Sequence, residues 1–407
     1  MFNSLIIIRT DASTAIGTGH VMRCLTLAGV LRDRGASVSF ICREHDGHLC
    51  DRIEEQGFIV HRLRKGPDPV SPSPAFDPYH TPWLGVSWEE DAEETNQIIS
   101  MLDKKPDWLI VDHYALDERW EKHLRPYVSR IFVIDDLADR VHDCDLFLDQ
   151  NLVEGMETRY NDKVPSTCGK MLGPKYALLQ PIYAELHDRI PPREGPIRRI
   201  LIFFGGVDQN NLTGIALSAV MELNHPDIEV DVVISEKSPF YNTIRDQATG
   251  RPGIILHSNL PSLAPLIAKA DLAIGASGTT SWERLCLGLP TVVITTAENQ
   301  KAIAHGLKEQ GLVIWLGHAD TITAKMIRDS ISKLLSRRDI RDWSSQCSQR
   351  VDGLGVMRVF TALTISPDTA LHVRRAKLSD EKILLSWAND PLNRKNSFTL
   401  DEISPDR

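Results

Sequence analysis

The sequence contains no apolar run of the about 18 to 20 residues that a membrane-spanning helix needs. It also lacks the basic segment, apolar stretch and cleavage site of a secretory signal, because the chain enters the strand-like run Leu5-Ile6-Ile7-Ile8 almost at once. The 7 cysteines are scattered, odd in number and free of any Cys-x-x-Cys pair, which indicates neither a disulfide framework nor a zinc site. These absences predict a cytoplasmic protein without a membrane partner.

An excess of positive charge is missing as well. The formal net charge is −9 at pH 7, with 46 Lys and Arg residues against 55 Asp and Glu residues. Proteins that bind nucleic acid non-specifically present a basic surface, so we expect no nucleic-acid partner. The apolar share of 42% and the charged share of 25% are typical of a globular protein, and 407 residues favour two or three domains. A monomer is the default expectation.

Strand-like apolar runs alternate with helical stretches in two successive blocks, which predicts two doubly wound, Rossmann-like α/β lobes that face each other across a cleft. We predict a first lobe over 1–190, a second lobe over 191–364, and a linker with a short extra segment over 365–407. Ligands of such folds bind at the carboxyl ends of the strands. The predicted strands are 5–10, 37–43, 58–63, 108–112 and 131–135 in the first block, and 199–204, 230–235, 253–257, 272–275, 291–295 and 313–316 in the second.

The loop Gly17-Thr18-Gly19-His20 lies between the first predicted strand and a predicted helix that ends at Gly35. Glycines allow the backbone to approach an anion, and a helix N-terminus offers unpaired N–H groups and positive potential. Imidazole exchanges a proton near neutral pH, so His20 adds a proton acceptor. The third glycine of a dinucleotide fingerprint and the lysine of a Walker loop are both absent. The loop is either a phosphate cradle with a base, or a plain strand–helix turn.

Polar side chains also follow two later strands of the first block. Asp112-His113-Tyr114 comes after one strand and Asp135-Asp136 after the next. Asp112 and Asp135 are candidates for a general acid or base, for groups that orient His20 or Arg23, or for helix caps. No His-x-x-x-His or comparable spacing accompanies His20 or His113, so we predict no metal site, and we predict no cofactor.

The second block carries two turns of small residues at strand ends. Gly205-Gly206 forms one, and Ser277-Gly278-Thr279-Thr280-Ser281 forms the other, where backbone N–H groups and hydroxyls suit phosphate oxygens. Glu283, one turn into the next helix, is expected to be an exposed-facing carboxylate that accepts from ribose hydroxyls. Asn299 and Gln300 open a later helix, and their amides suit a hydroxylated or acetamido sugar. Each feature alone is also explained as a turn, cap or dipole residue; together they favour a nucleotide-sugar site.

Residues 66–82 differ in character from both blocks. They contain prolines at 67, 69, 72, 74, 78 and 82, which favours an irregular excursion over a regular element. A loop of this length inside an α/β domain is either functional or a surface insertion, and the composition does not separate the two.

The motifs together resemble, in order, those of the PseG family, the UDP-2,4-diacetamido-2,4,6-trideoxy-β-L-altropyranose hydrolases of pseudaminic acid biosynthesis. The resemblance covers residues 4 to 360 approximately. The second-lobe segment also looks like the UDP-binding lobe of MurG-type glycosyltransferases with the GT-B fold. The motifs that carry the resemblance are Gly17–Cys24, Val111–Tyr114, Ile134–Asp136, Leu148–Asn151, Phe204–Asp208 and Gly278–Glu283.

The resemblance implies a metal-independent hydrolase whose only expected partner is a UDP-sugar. Its catalytic histidine matches His20, which would act as the general base. The residues expected to bind UDP are Gly205, Gly206, Ser277, Gly278, Thr279, Thr280, Ser281 and Glu283, and those expected to contact the rest of the substrate are Gly17, Gly19, Arg23, Asp112, Tyr114, Asn299 and Gln300. The alternatives are a GT-B glycosyltransferase, a hydrolysing sugar-nucleotide 2-epimerase, and a non-catalytic nucleotide-sugar binding module.

The C-terminal segment resembles the start of a GNAT N-acetyltransferase. The strand-like run Leu371–Ala376 is followed by Leu-Ser-Asp and by a predicted helix over 380–389. The glycine-rich loop that holds acetyl-CoA in that family is missing, so we predict a partial GNAT segment without acetyltransferase activity.

Overall fold

The structure is a computed structural model that describes residues 4–66, 77–206, 208–223, 225–337, 339–365, 374, 376–390, 394 and 403–404. The chain divides into two compact units, Met1–Thr369 and Ala370–Arg407. In the part of the chain that the structure describes, no helix combines the length and the hydropathy needed to cross a bilayer.

The first lobe is built on a parallel sheet of 7 strands in the order β3-β2-β1-β4-β5-β6-β7. The strands are β1 Leu5–Thr10, β2 Ser37–Arg43, β3 Ile59–Leu63, β4 Trp108–Asp112, β5 Ile131–Ile134, β6 Leu146–Asp149 and β7 Gly169–Leu172. Helices α1 Gly19–Asp33, α2 Cys50–Glu55, α3 Trp88–Ser100 and α4 Glu118–Leu124 cover its faces. Ile6 and Ile8 pack on one face and Ile7 on the other, which explains the unbroken apolar run of β1.

Helix α5 Pro181–His187 follows the first sheet, and a second parallel sheet of 6 strands comes next, in the order β10-β9-β8-β11-β12-β13. Its strands are β8 Arg199–Phe203, β9 Glu229–Val233, β10 Ile254–His257, β11 Leu272–Gly275, β12 Thr291–Thr295 and β13 Val313–His318. The helices are α6 Leu212–Met221, α7 Tyr241–Thr249, α8 Ala264–Lys269, α9 Thr280–Cys286, α10 Asn299–Glu309, α11 Ala324–Leu335, α12 Arg341–Ser348 and α13 Gly355–Thr364. The prediction of two doubly wound α/β lobes is confirmed.

The chain passes between the lobes at places that the proline pattern did not indicate. Tyr183 of α5 already belongs to the core of the second lobe. Later, Val359 and Leu363 of α13 pack into the core of the first lobe, where the Trp108 indole N–H donates to the Leu363 carbonyl at 3.0 Å. Each lobe core therefore includes a helix from the other side of the predicted boundary.

The proline-rich stretch 191–196, expected as a linker, is anchored. The Arg193 side chain is buried and donates to the carbonyls of Ala270 at 2.7 Å and Ile267 at 2.5 Å, and also to that of Leu287. Its backbone N–H donates to Ser344 Oγ at 2.9 Å. The stretch is thus held to the second lobe by a buried cation.

Two predictions concern residues that the structure describes only in part. Of the proline-rich region, residues 67–76 lie outside the described residues. Most of the GNAT-like strand Leu371–Ala376 lies outside them too, whereas the helix expected over 380–389 is present as α14 Glu381–Ala388. One helix does not identify an acetyltransferase, so the GNAT resemblance stays a prediction.

Candidate active site

The loop between β1 and α1 closes as a tight turn before the helix begins. Gly17 has a φ of +81°, and its N–H donates to the Ser13 carbonyl at 2.9 Å. Among the described residues no side chain caps the helix at Thr18. The glycine is needed because other residues rarely adopt a positive φ. The turn places His20 as the second residue of α1, with a buried side chain.

The His20 imidazole is oriented by a carboxylate at the end of β4. Its Nδ1 lies 2.6 Å from Asp112 Oδ1, and Asp112 is 0% exposed. At this distance the Nδ1–H donates to the carboxylate, which leaves Nε2 as the nitrogen with the free lone pair. Burial raises the pKa of Asp112, but the charge and hydrogen bonds of Arg23, together with those of His20, lower it well below its ordinary value. Asp112 thus stays ionised and fixes the imidazole as a base.

Arg23 closes the other side of the same carboxylate. Its Nε donates to Asp112 Oδ2 and its Nη2 to Asp112 Oδ1, both at 2.6 Å, which is the bidentate geometry of a strong pair. Sequence reasoning placed Arg23 and Asp112 against the substrate. In the structure both are buried and occupied with each other, so we interpret them as the support that orients His20.

Tyr114 links the base to a second carboxylate and to the other lobe. Its ring meets the His20 ring edge-on, with centroids 4.5 Å apart. The Tyr114 hydroxyl donates to Asp136 Oδ1, while Asp136 Oδ2 accepts from Asn151 Nδ2 at 2.7 Å. Asn299 Nδ2 of the second lobe donates to the Tyr114 hydroxyl at 3.5 Å. Burial, followed by the charge of Asp136, raises the pKa of Tyr114, so the phenol remains a hydrogen-bond donor.

Asp136 and Asn151 were not among the predicted site residues. Both stand in motifs that carried the family resemblance, yet nothing local indicates that they meet around one tyrosine. Asp135, in contrast, is used by the fold: it accepts from Arg140 Nη2 at 2.6 Å and from the Leu137 N–H at 3.1 Å. No helix begins directly after Asp135 among the described residues, so this carboxylate closes a loop turn and does not cap a helix.

His113 lies apart from the base. Its Nδ1 accepts from the Ala115 N–H at 3.1 Å, and its Nε2 is 3.3 Å from Asp11 Oδ2. Within the described ranges, no group of three or more His, Cys, Asp or Glu side chains is arranged to hold a metal ion.

The turn after β11 is shaped by a buried arginine of α9. Arg284 Nη2 donates to the Ala276 carbonyl at 2.6 Å and to Ser281 Oγ at 3.1 Å. Burial lowers the pKa of Arg284 to about 10, which still leaves it charged at neutral pH. Ser277 is 0% exposed, and its Oγ has no hydrogen-bond partner among the described residues. A buried hydroxyl without a partner is an available contact for a ligand.

The two lobes approach each other at these turns. A Cβ placed on Gly19 would lie 3.9 Å from Thr279 Oγ1, and Gln209 Nε2 donates to the Thr14 carbonyl at 2.8 Å. The His20 loop of the first lobe therefore faces the turn that contains Thr279 and Thr280 across a narrow gap.

Glu283 differs from its expected exposed position. The residue is half-buried, and its Oε2 is shielded from solvent. Burial raises the pKa of Glu283 to about 7, and the neighbouring hydroxyl of Tyr183 of α5 and the charge of Arg284 oppose this rise only partly. Glu283 is not exposed because helix α5 packs against the side of α9 that the local helix pattern leaves open to solvent.

The Gly205-Gly206 turn precedes helix α6, but the first amides of this helix are not free to bind a ligand. Gly205 has a φ of +102°. The Asp208 carboxylate accepts from the Leu212 N–H at 3.0 Å and the Thr213 N–H at 2.7 Å. The first amides of α6 are thus already occupied by a carboxylate, and any diphosphate contact here would come from the glycine turn itself.

Gln300 closes the turn before α10. Its Oε1 accepts from the Thr296 N–H at 2.9 Å and from Thr296 Oγ1 at 3.2 Å. A Cβ on Gly278 would lie 4.0 Å from Gln300 Nε2, so the amide nitrogen borders the α9 turn. The structure thus brings His20, Gly19, Tyr114, Asn299, Gln300 and the 277–280 turn to one region.

Comparison with known proteins finds distant relatives. No protein-family profile matches the chain. The chain is 24% identical over 406 residues to an uncharacterised protein of Methanocaldococcus jannaschii, covering 95% of this chain and 73% of that protein. It is 25% identical over 308 residues to the UDP-2,4-diacetamido-2,4,6-trideoxy-β-L-altropyranose hydrolase of Campylobacter jejuni, covering 75% and 97%. It is 27% identical over 195 residues to the spore coat polysaccharide biosynthesis protein SpsG of Bacillus subtilis, covering 47% and 57%.

Solved structures show the fold. MurG of Acinetobacter baumannii matches with a TM-score of 0.58 and 15% identity, covering 89% of this chain and 99% of MurG. LpCGTa in complex with UDP matches with a TM-score of 0.60 and 11% identity, covering 89% of this chain and 100% of LpCGTa. The chain has the two-lobed α/β architecture of GT-B glycosyltransferases.

Proposed function

We propose that this chain is an enzyme that hydrolyses a UDP-linked 2,4-diacetamido-2,4,6-trideoxy sugar to free sugar and UDP, as a step of pseudaminic acid biosynthesis. The observation that carries the proposal is the 2.6 Å contact between His20 Nδ1 and Asp112 Oδ1, which leaves Nε2 as a base beside the facing lobe. The similarity to the Campylobacter jejuni hydrolase over 97% of that protein supports the substrate class.

The chemical step is a displacement at C1 of the sugar. His20 Nε2 takes a proton from water, the water oxygen forms a bond to C1 on the face opposite UDP, and the C1–O bond breaks with its electron pair going to UDP. The configuration at C1 is inverted. Asp112 stabilises the imidazolium that forms, as a buried carboxylate does in other Asp–His pairs. UDP is a good leaving group, so a strong general acid is not required.

The nucleotide is assigned to the second lobe. The backbone amides of the 277–281 turn and the unpartnered Ser277 Oγ would meet the diphosphate, with the Gly205-Gly206 turn as a second contact. Glu283 would accept from the ribose hydroxyls. Asn299 and Gln300 are assigned to the sugar because they border the gap next to Tyr114 and Gly278.

Proton NMR of the UDP-sugar, incubated with the protein in D₂O and EDTA without any acceptor, tests the proposal. We expect release of UDP and first appearance of the inverted anomer, with no deuterium at C2, and loss of turnover in His20→Asn. A glycosyltransferase would release no UDP without an acceptor, and a 2-epimerase would incorporate deuterium at C2. Tight binding of the UDP-sugar without turnover would favour a binding module and overturn the hydrolase.

A further inference from the structure

A cluster of aromatic rings extends from the base into the end of the proline-rich region 66–82 and the residue that follows it. The Trp83 ring stacks near-parallel on Tyr114, with centroids 5.8 Å apart and an interplanar angle of 26°. The His80 ring lies 4.4 Å from Trp83 and 5.3 Å from Tyr114. Since Tyr114 also touches His20, the three rings form a continuous surface that begins at the catalytic imidazole. We call His80, Trp83 and Tyr114 the aromatic wall.

The His80 and Trp83 part of the aromatic wall is fixed in place by the turn that carries these two residues. Thr81 Oγ1 donates to the Pro78 carbonyl at 2.7 Å, and the backbone N–H of Trp83 donates to the His80 carbonyl at 2.8 Å. Leu84, the next residue, is 0% exposed and anchors the turn in the core of the first lobe. His80 and Trp83 nevertheless remain partly exposed. Anchored aromatic rings that keep some exposure are a preorganised surface for a ligand.

The wall is apolar in character despite its histidine. Burial lowers the pKa of His80, which favours the uncharged imidazole. His80 Nδ1 is shielded from solvent and has no hydrogen-bond partner among the described residues. A shielded, unpartnered nitrogen beside the rings of Trp83 and Tyr114 is a second sign that a ligand completes this surface.

We propose that the aromatic wall is the sugar-side specificity surface, and that Trp83 selects sugars whose edge carries methyl groups, such as a 6-deoxy carbon or an acetamido methyl. The face of the Trp83 ring offers no hydrogen-bond partner, so it contacts methyl groups favourably, whereas sugar hydroxyls at the same edge would stay unpaired. Unpaired hydroxyls in an apolar pocket are penalised, so the wall discriminates between the two kinds of sugar. This inference rests on the proposed function, since it identifies the sugar that the base acts on.

The test measures binding in a His20→Asn background, so that it does not depend on turnover. Calorimetry compares the UDP-linked diacetamido-trideoxy sugar, UDP-N-acetylglucosamine, which has a hydroxyl at C6, and UDP alone. We expect Trp83→Ala to weaken binding of the trideoxy sugar nucleotide by about 10- to 100-fold and to reduce its preference over UDP-N-acetylglucosamine, with UDP affinity unchanged. Trp83→Phe keeps an aromatic ring and should retain most of the preference.

Tyr127→Ala serves as the matched control, because Tyr127 is 40% exposed and belongs to a different turn of the same lobe. Thermal unfolding of each variant shows whether the protein is folded. An unchanged preference in Trp83→Ala, or an equal loss for UDP alone, would overturn the inference; if Trp83→Ala does not fold, loss of the preference in folded Trp83→Phe overturns it. Failure of the wild type to hydrolyse any UDP-sugar would instead reject the proposed function. The binding comparison could still be interpreted, because it does not depend on turnover.

Discussion

His20 Nδ1 and Asp112 Oδ1 lie 2.6 Å apart, and the same carboxylate is held from its other side by Arg23. This arrangement determines which nitrogen of the imidazole is free. Because the carboxylate is buried and is also held by Arg23 and Cys24, the ring cannot turn without breaking a charged hydrogen bond. The base is therefore preorganised before any substrate arrives.

The first prediction concerns the base itself. His20→Asn should lower kcat by about 10² to 10⁴, the usual worth of general base catalysis, while UDP binds as before. Steady-state hydrolysis and UDP calorimetry measure the two effects. His123→Asn, at a histidine that is 39% exposed on α4, is the control and should leave kcat unchanged. Near-normal turnover in His20→Asn would exclude His20 as the base.

The second prediction concerns its support. Asp112→Asn removes the bidentate partner of buried Arg23 and leaves it only Asp136, at 3.7 Å; loss of one member of a buried pair costs about 3 to 5 kcal/mol of unfolding free energy. The variant also loses the acceptor that fixes the imidazole, so kcat should fall by about 10² or more. Urea unfolding and single-turnover rates measure both effects. Asp46→Asn removes an exposed partner of Lys65 and should change the unfolding free energy by about 1 kcal/mol or less.

The third prediction follows from the pKa of Glu283. Burial raises this pKa to about 7 in the folded protein, above its ordinary value of 4.5. The stability that this carboxyl contributes is therefore fully present below about pH 4.5 and is lost as the pH rises through about 7. Relative to Glu283→Gln, the wild type should lose up to about 3 kcal/mol between pH 5 and 8. Burial also raises the pKa of Asp149 to about 7, so only the difference between the two proteins is informative.

The fourth prediction uses the same residue in ligand binding. If Glu283 accepts from ribose hydroxyls, the carboxylate form binds UDP better than the acid form. UDP affinity of the wild type should then increase by up to about tenfold between pH 6 and 8 relative to Glu283→Gln, since one pKa unit corresponds to about 1.4 kcal/mol. Calorimetry at several pH values measures the ratio, in which the titration of UDP itself cancels. Parallel pH profiles would contradict a contact between Glu283 and the nucleotide.

The fifth prediction concerns Arg193. Arg193→Met removes the donor to three buried carbonyls, so the free energy of unfolding should decrease by about 2 to 4 kcal/mol. Hydrolysis per folded molecule should not change, because Arg193 is not part of the site. Arg198→Met, at an exposed side chain nearby, is the matched control. Equal stability of the two variants would show that the anchor contributes nothing.

Much of the fold was predictable because its signals are local. The apolar runs of β1 and β4 are buried on both faces, and Gly35, with a φ of +97°, ends α1 where the pattern placed its end. Strands β6 and β7 were not predicted, since they contain only three and two apolar residues, which do not establish a period. The crossing of α13 has no local signal at all, because it depends on which core accepts its apolar face.

The candidate site was predictable in position but not in roles. Glycine turns and polar residues at strand ends are visible in the sequence, and these identified the region of His20 and Ser277. The contacts of each site residue depend on partners far away in the chain. Tyr183 faces Glu283, and Asp136 accepts a hydrogen bond from Tyr114. The same holds for Trp83, whose stacking on Tyr114 cannot be read from a turn next to prolines.

The return of α13 to the first lobe affects the order in which the protein can be made. The face of α1 that receives Val359 and Leu363 stays uncovered until the ribosome has passed the whole second lobe. At ordinary rates of synthesis this delay is on the order of tens of seconds. The first lobe thus emerges first and is completed last. In the interval one apolar face of α1 is uncovered, and the nascent chain is open to aggregation or to chaperone binding.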